Sequence, residues 1–119
     1  MLYDITQIAL ERTISGTSAR NEALASNLAN ANTPGYARVD VDFHGALAQA
    51  MGTSAPREAL QSTGFAPVAD AAGAMRADGS TVDVDAESAK LAANGLEHQT
   101  AVQVAAARLD ILKSAMGVA

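Results

Sequence analysis

A helical pattern running from about Asp4 to Asn30 meets Asn27, Asn30 and Asn32 and breaks at Thr33-Pro34-Gly35. Proline pushes Thr33 out of the helical region and lacks the N–H that a helix interior needs. Pro34-Gly35 suits the central pair of a type II turn, where glycine supplies the positive φ. Asn30 and Asn32 suit a helix end, because asparagine tolerates left-handed conformations and bonds nearby backbone. Tyr36 offers an amphipathic anchor just past the turn. Beyond it Val39, Val41 and Phe43 alternate with Asp40 and Asp42, which predicts a short strand or extended arm.

The segment before the break begins with Asp4 and Gln7 at capping-box spacing. Positions 10, 14, 17, 21, 24 and 28 then step by four and three. Leu10, Ile14, Leu24 and Leu28 are apolar, with Thr17 and Asn21 the polar exceptions. This is the spacing of a coiled-coil seam. The far end of the chain repeats it after Asp83, Asp85 and Glu87, acidic residues that favour a helix start. There Leu91, Gly95, His98, Val102, Ala105, Leu109, Leu112 and Met116 keep the same rhythm, Lys113 lies in the last turn, and Gly117 suits a C-cap. Helices over 4–30 and 85–116 would be about 40 and 48 Å long. The expectation is a mainly α fold, with long N- and C-terminal helices paired as an antiparallel coiled-coil hairpin. The seam positions expected to carry subunit packing are Leu10, Ile14, Leu24, Leu28, Leu91, His98, Val102, Ala105, Leu109, Leu112 and Met116.

Residues 37–82 differ in kind. They hold Gly45, Gly52, Gly64, Gly73 and Gly79 with Pro56 and Pro67. Apart from the alternating segment and a helical turn over Ala46–Met51, they read as irregular, and so long a loop implies a partner that orders it. The organisation expected is an N-terminal helix and joint over 1–36, an irregular middle over 37–82 and a C-terminal helix over 83–119. The two ends form one structural domain.

Composition limits how well such a hairpin can stand alone. Of the 119 residues 28 are alanine, so a hydrophobic content of 49% overstates the surface available to bury. Two Phe, two Tyr and no Trp leave few large anchors. A pair of helices with so thin a seam needs further copies to complete its burial, which points to a polymer subunit. The net charge of -5, without a basic cluster, argues against nucleic-acid binding. The absence of cysteine removes disulfides and thiolate metal sites. No basic n-region precedes Asp4, and no apolar run approaches the ~20 residues of a membrane span. Export, if it occurs, is therefore expected without a cleaved leader.

Catalytic and metal-binding chemistry finds no support in the residues. A calcium loop starting at Asp83 would need Gly and Glu where Ser88 and Asn94 stand. Asp40 and Asp42 fit strand-face solvation, and His44 and His98 lack a second ligand at metal spacing. Gly16-Thr17-Ser18-Ala19-Arg20 echoes a nucleophile elbow but sits in a helical pattern with no strand before it. No enzyme activity and no cofactor are expected.

Asn27-Leu28-Ala29-Asn30-Ala31-Asn32-Thr33-Pro34-Gly35-Tyr36 resembles, position for position, an N-terminal signature of the bacterial flagellar axial proteins, Asn-(Ile/Leu)-Ala-Asn-x-x-Thr-Pro-Gly-Tyr. Asp40-Val41-Asp42-Phe43, Asp78-Gly79, Val82-Asp83-Val84-Asp85, Leu91-Ala92, Asn94, Gln99 and Leu112-Lys113 are similar to the proximal rod members in particular. The chain departs from them where His98 and Leu109 stand at commonly aromatic positions. The resemblance implies a structural subunit of the basal-body proximal rod. Such a subunit polymerises with itself and related rod proteins into a periplasm-spanning drive shaft. It also implies export by the flagellar type III apparatus and contact with an MS-ring or export-gate adaptor at the rod base. Other readings are a coiled-coil adaptor, an export-associated regulator, or a different rod subunit of the same family.

Overall fold

The computed structural model describes residues 4–70 and 73–117. Helix α1 spans Ile5–Ala29 and helix α4 spans Val84–Ala115. Between them lie strand β1 (Val39–Asp40), helix α2 (Phe43–Met51), helix α3 (Pro56–Ser62) and strand β2 (Val68–Ala69). Asp4 caps α1 by accepting from Gln7 N at 2.8 Å, while the Gln7 side chain turns to Glu11 instead of closing the capping box. Asp83 caps α4 by accepting from Asp85 N and Ala86 N. The two long helices run antiparallel, with Asn27 against Glu87, Thr17 against His98 and Asp4 against Arg108. The molecule measures 62 × 35 × 14 Å with a radius of gyration of 17.6 Å. A compact domain of this length would have about 13–14 Å. The chain is a flat, elongated plate.

The contact face of α4 is turned from the expected one at alternate positions. Leu91, His98, Ala105 and Leu112 are half-buried as the heptad rhythm predicts. The intervening places go to Glu87, Asn94, Ala101 and Arg108, whereas Gly95, Val102, Leu109 and Met116 are exposed. On α1, Leu24 and Thr17 are fully buried, Leu10, Ile14 and Leu28 are half-buried, and Asn21 is exposed. The register is set by polar contacts, which an apolar periodicity cannot see.

The middle is more ordered than its composition suggests, and it covers the other side of α1. Asp42 caps α2 by accepting from Gly45 N at 3.0 Å, so Phe43 begins a helix and does not continue a strand. Pro56 opens α3, its φ already suited to a first turn. Ile8 packs with Ala50 and Leu60, and Ala23 packs with Val41 and Phe43. Phe43 lies fully buried against Gly16, where an added Cβ would stand 2.6 Å from Phe43 Cβ. β1 and β2 pair antiparallel with Val39 opposite Ala69 and Asp40 opposite Val68. The helical turn expected over Ala46–Met51 is the later part of α2, whereas α3 escapes a periodicity search because it is too short to repeat its pattern.

Candidate assembly joint

The break after α1 is built as a turn held from two sides. Tyr36 N donates to Thr33 O at 3.2 Å and Gly35 has φ +73°, the geometry of a type II turn with Pro34 and Gly35 at its centre. Gly35 N donates to Asp78 O at 2.9 Å. Gly79 (φ +81°) lies so close that a Cβ on it would sit 3.3 Å from Gly35 Cα. Asn30 works differently from the expectation. Among the described residues no residue other than glycine has positive φ, and Asn30 closes the helix by donating from Nδ2 to Ser26 O at 2.9 Å. Ala29, Asn32, Thr33 and Pro34 are exposed.

Asn27 ties the helix to the returning chain. Its Nδ2 donates to Val39 O at 2.7 Å, and its Oδ1 accepts from Val39 N at 2.9 Å. The side-chain amide thus takes the place of a neighbouring strand along one edge of β1, which satisfies both backbone groups of the half-buried Val39. Tyr36 Oη reaches Asn27 Oδ1 at 3.3 Å and Ser26 Oγ at 3.2 Å, so the anchor read from the sequence acts through its hydroxyl.

A buried cluster of charges locks this joint to α4. Glu87 is 1% exposed and accepts from Arg38 Nε and Asn27 Nδ2. Arg38, 3% exposed, also reaches Asp70 and Asp40, and Arg20 pairs with Asp40 at 2.9 Å. Burial alone would lower the Arg38 pKa. The hydrogen bond and charge of Glu87, and then those of Asp40, outweigh it and raise the value above its already high ordinary one. Burial works likewise to raise the Asp40 carboxyl, but the hydrogen bonds from Arg20 and Val41 N, with Arg38 beyond, hold it below the usual carboxylate value. These groups are engaged with one another, and the arrangement serves position, not proton transfer.

Sequence reasoning placed Asp40, Asp42 and Phe43 in this region but missed Arg20, Arg38 and Glu87. One signal was available. Glu87, Leu91, Asn94 and His98 form a second four-three register, which shares Leu91 and His98 with the expected one and places polar residues between them. Outside the joint, α4 and its C-cap leave many large apolar residues uncovered. Leu96, Val102, Val104, Leu109, Ile111 and Met116 are all exposed. Ala89, Ala93, Leu96, Thr100, Val104, Ala107 and Ile111 form an outer stripe with steps of three and four, away from α1.

Comparisons with known proteins agree with this geometry. A family profile described as flagella basal body rod protein matches residues 9–36, which cover most of α1 and the turn. The chain is 35% identical over 124 residues to the flagellar basal body rod protein FlgB of Aeromonas hydrophila, covering 96% of this chain and 91% of that protein. It is 35% identical over 105 residues to the FlgB of Cereibacter sphaeroides, covering 82% of each. The FlgB of Escherichia coli K12 is 37% identical over 97 residues, covering 67% of this chain and 70% of that protein.

Proposed function

The chain belongs to the FlgB flagellar basal body rod proteins, and from that premise we propose that it forms the proximal segment of the rod with its terminal helices packed innermost. It is a structural subunit of the basal body rod, assembling with other rod proteins. The observation that supports the finer reading is the bare apolar surface of α4. Leu96 is 67% exposed and Ile111 68% exposed. Apolar residues left uncovered in this number on one helix mark a surface that packs against neighbours.

In this reading Leu10, Ile14, Leu24, Leu28, Leu91, His98 and Ala105 hold the hairpin together. Val102, Leu109, Leu112 and Met116 meet neighbouring subunits. Residues 37–82 lie outward as an arm carried on α1, and the contacts between copies are head-to-tail and repeating. Partners are further copies of this chain, related rod proteins and an adaptor at the base of the rod. Delivery is by the flagellar type III exporter to the periplasm. No step of catalysis is assigned to the chain. Among the described residues no helix is long and apolar enough to cross a membrane.

The test is complementation of a deletion strain. Wild-type chain restores swimming and copurifies with basal bodies. Leu109→Asp yields soluble, exported protein that does neither. Normal swimming with Leu109→Asp as the sole copy refutes the packing face.

A further inference from the structure

The two-stranded sheet has one closed edge and one open one. In an antiparallel ladder, pairs that exchange backbone hydrogen bonds alternate with pairs that do not. Asp70 N donates to Arg38 O at 2.9 Å. Asp40 and Val68, two residues along, are therefore the next bonded pair, and Val39 and Ala69 between them turn their N–H and C=O groups outward. On β1 the outward groups go to the Asn27 amide. On β2 nothing among the described residues takes those of Ala69.

This edge is open to solvent. Pro67, Val68 and Ala69 are all exposed, Val68 at 66%. By the same alternation Pro67 faces outward with Ala69, so its missing N–H removes no bond from the sheet, and its presence marks an edge. The edge offers one donor, Ala69 N–H, and two acceptors, the carbonyls of Pro67 and Ala69. An isolated pair of strands is marginal in water, and a third strand laid here would use all three groups. The proline keeps that pairing short.

Beside β2 lies a groove of about 520 Å³ whose polar lining is Arg20, Asp40, Asp42, His44 and Asp70. Arg20 and Arg38 engage Asp40, Arg38 also pairs with Asp70, and His44 is turned to Glu97 at 2.6 Å. Asp42 differs from its neighbours. It is exposed, its Oδ1 caps α2 through Gly45 N, and its Oδ2 has no partner among the described residues. The groove therefore holds one carboxylate that is both reachable and unneutralised.

We propose that the open edge of β2 docks an extended segment of a neighbouring rod protein by strand addition, with an arginine or lysine of that segment on Asp42. The inference rests on the rod reading above, in which residues 37–82 face outward. Strand addition draws affinity from backbone bonds and selectivity from the side chains beside them. Three carboxylates against one guanidinium in the lining favour an incoming cation.

The test uses the full chain in competition with wild type for incorporation into basal bodies. Asparagine caps a helix as well as aspartate, so Asp42→Asn melts near wild type yet incorporates about tenfold less, the scale of a lost charged hydrogen bond. Ala69→Pro removes the outward N–H, and the strand conformation of Val68 already suits a following proline. It too is depleted from rods, while Ala69→Ser, which keeps the N–H, enters normally. Asp42→Asn and a crosslink decide whatever Ala69→Pro does to the fold. A benzophenone side chain in place of Val68 crosslinks in assembled rods to an Arg- or Lys-containing peptide of another subunit, be it a second copy or a related rod protein. Equal incorporation of Asp42→Asn, or a Val68 crosslink confined to its own chain, overturns the docking edge and leaves the rod assignment standing. Absence of the wild-type chain from basal bodies overturns both.

Discussion

The two ends of the α1–α4 pair are built on opposite principles. Near Asn27 and Glu87 the contact is polar, buried and internally satisfied, with Arg38, Arg20, Asp40 and Asp70 drawn into one network. Toward the end of α4, past Arg108, Leu109, Ile111 and Met116 stand half or more exposed. The polar end dictates a single geometry, because buried charges tolerate only partners that meet them. The apolar end dictates little by itself and accepts whatever surface excludes water. A subunit made this way enters an assembly with a fixed joint and an unfinished face.

The strongest way to break this contrast is to remove a partner at the polar end. Glu87→Ala leaves Arg38 buried without its main counter-charge and should destabilise the isolated chain by about 3–5 kcal/mol, read from chemical denaturation. A loss under about 1 kcal/mol would mean the cluster is not buried as described. Gly16→Ala comes next, because its methyl would press on the fully buried Phe43. The expected loss is about 1–3 kcal/mol by the same measurement, and an unchanged melting curve would show that Phe43 has room to move.

Acid gives a smaller and graded effect at the same end. The Asp40 pKa is depressed in the fold, so its stabilising contribution is complete above its ordinary value near 3.8 and is lost as pH falls through the folded value. Asp4, depressed mainly by the hydrogen bond from Gln7 N, acts in the same direction where α1 begins. Stability measured against pH should be flat with respect to these two groups above that range and fall below it, and Asp40→Asn should flatten the fall.

The smallest effect on the isolated chain belongs to the apolar end. Ile111→Asp, at a side chain 68% exposed, should change monomer stability by no more than about 0.5 kcal/mol while preventing incorporation into rods. A large loss of monomer stability would place Ile111 in an internal contact and erase the distinction between the two ends.

The legible part of the fold was the part written in repeating patterns. Both long helices, their acidic caps at Asp4 and Asp83, their antiparallel pairing and the Pro34-Gly35 turn follow from local rules that act over a few residues. α2 was legible only as a turn over Ala46–Met51 and α3 was obscured, because nine and seven residues cannot display a helical period clearly. Asn27 was recognised by its place in a motif. Its role as a stand-in strand edge for Val39 needed two segments brought together in space.

By itself the sequence determined where the two long helices begin, run and stop, and that alanine-rich faces would leave them short of burial. Tertiary structure alone decided which face of α4 meets α1, because that choice rests on pairing Glu87 with Arg38 and Asn27, and Arg108 with Asp4. Apolar spacing leaves neighbouring rotations of a helix nearly equal in energy. Buried charges and amides do not, since a wrong rotation leaves them unpaired.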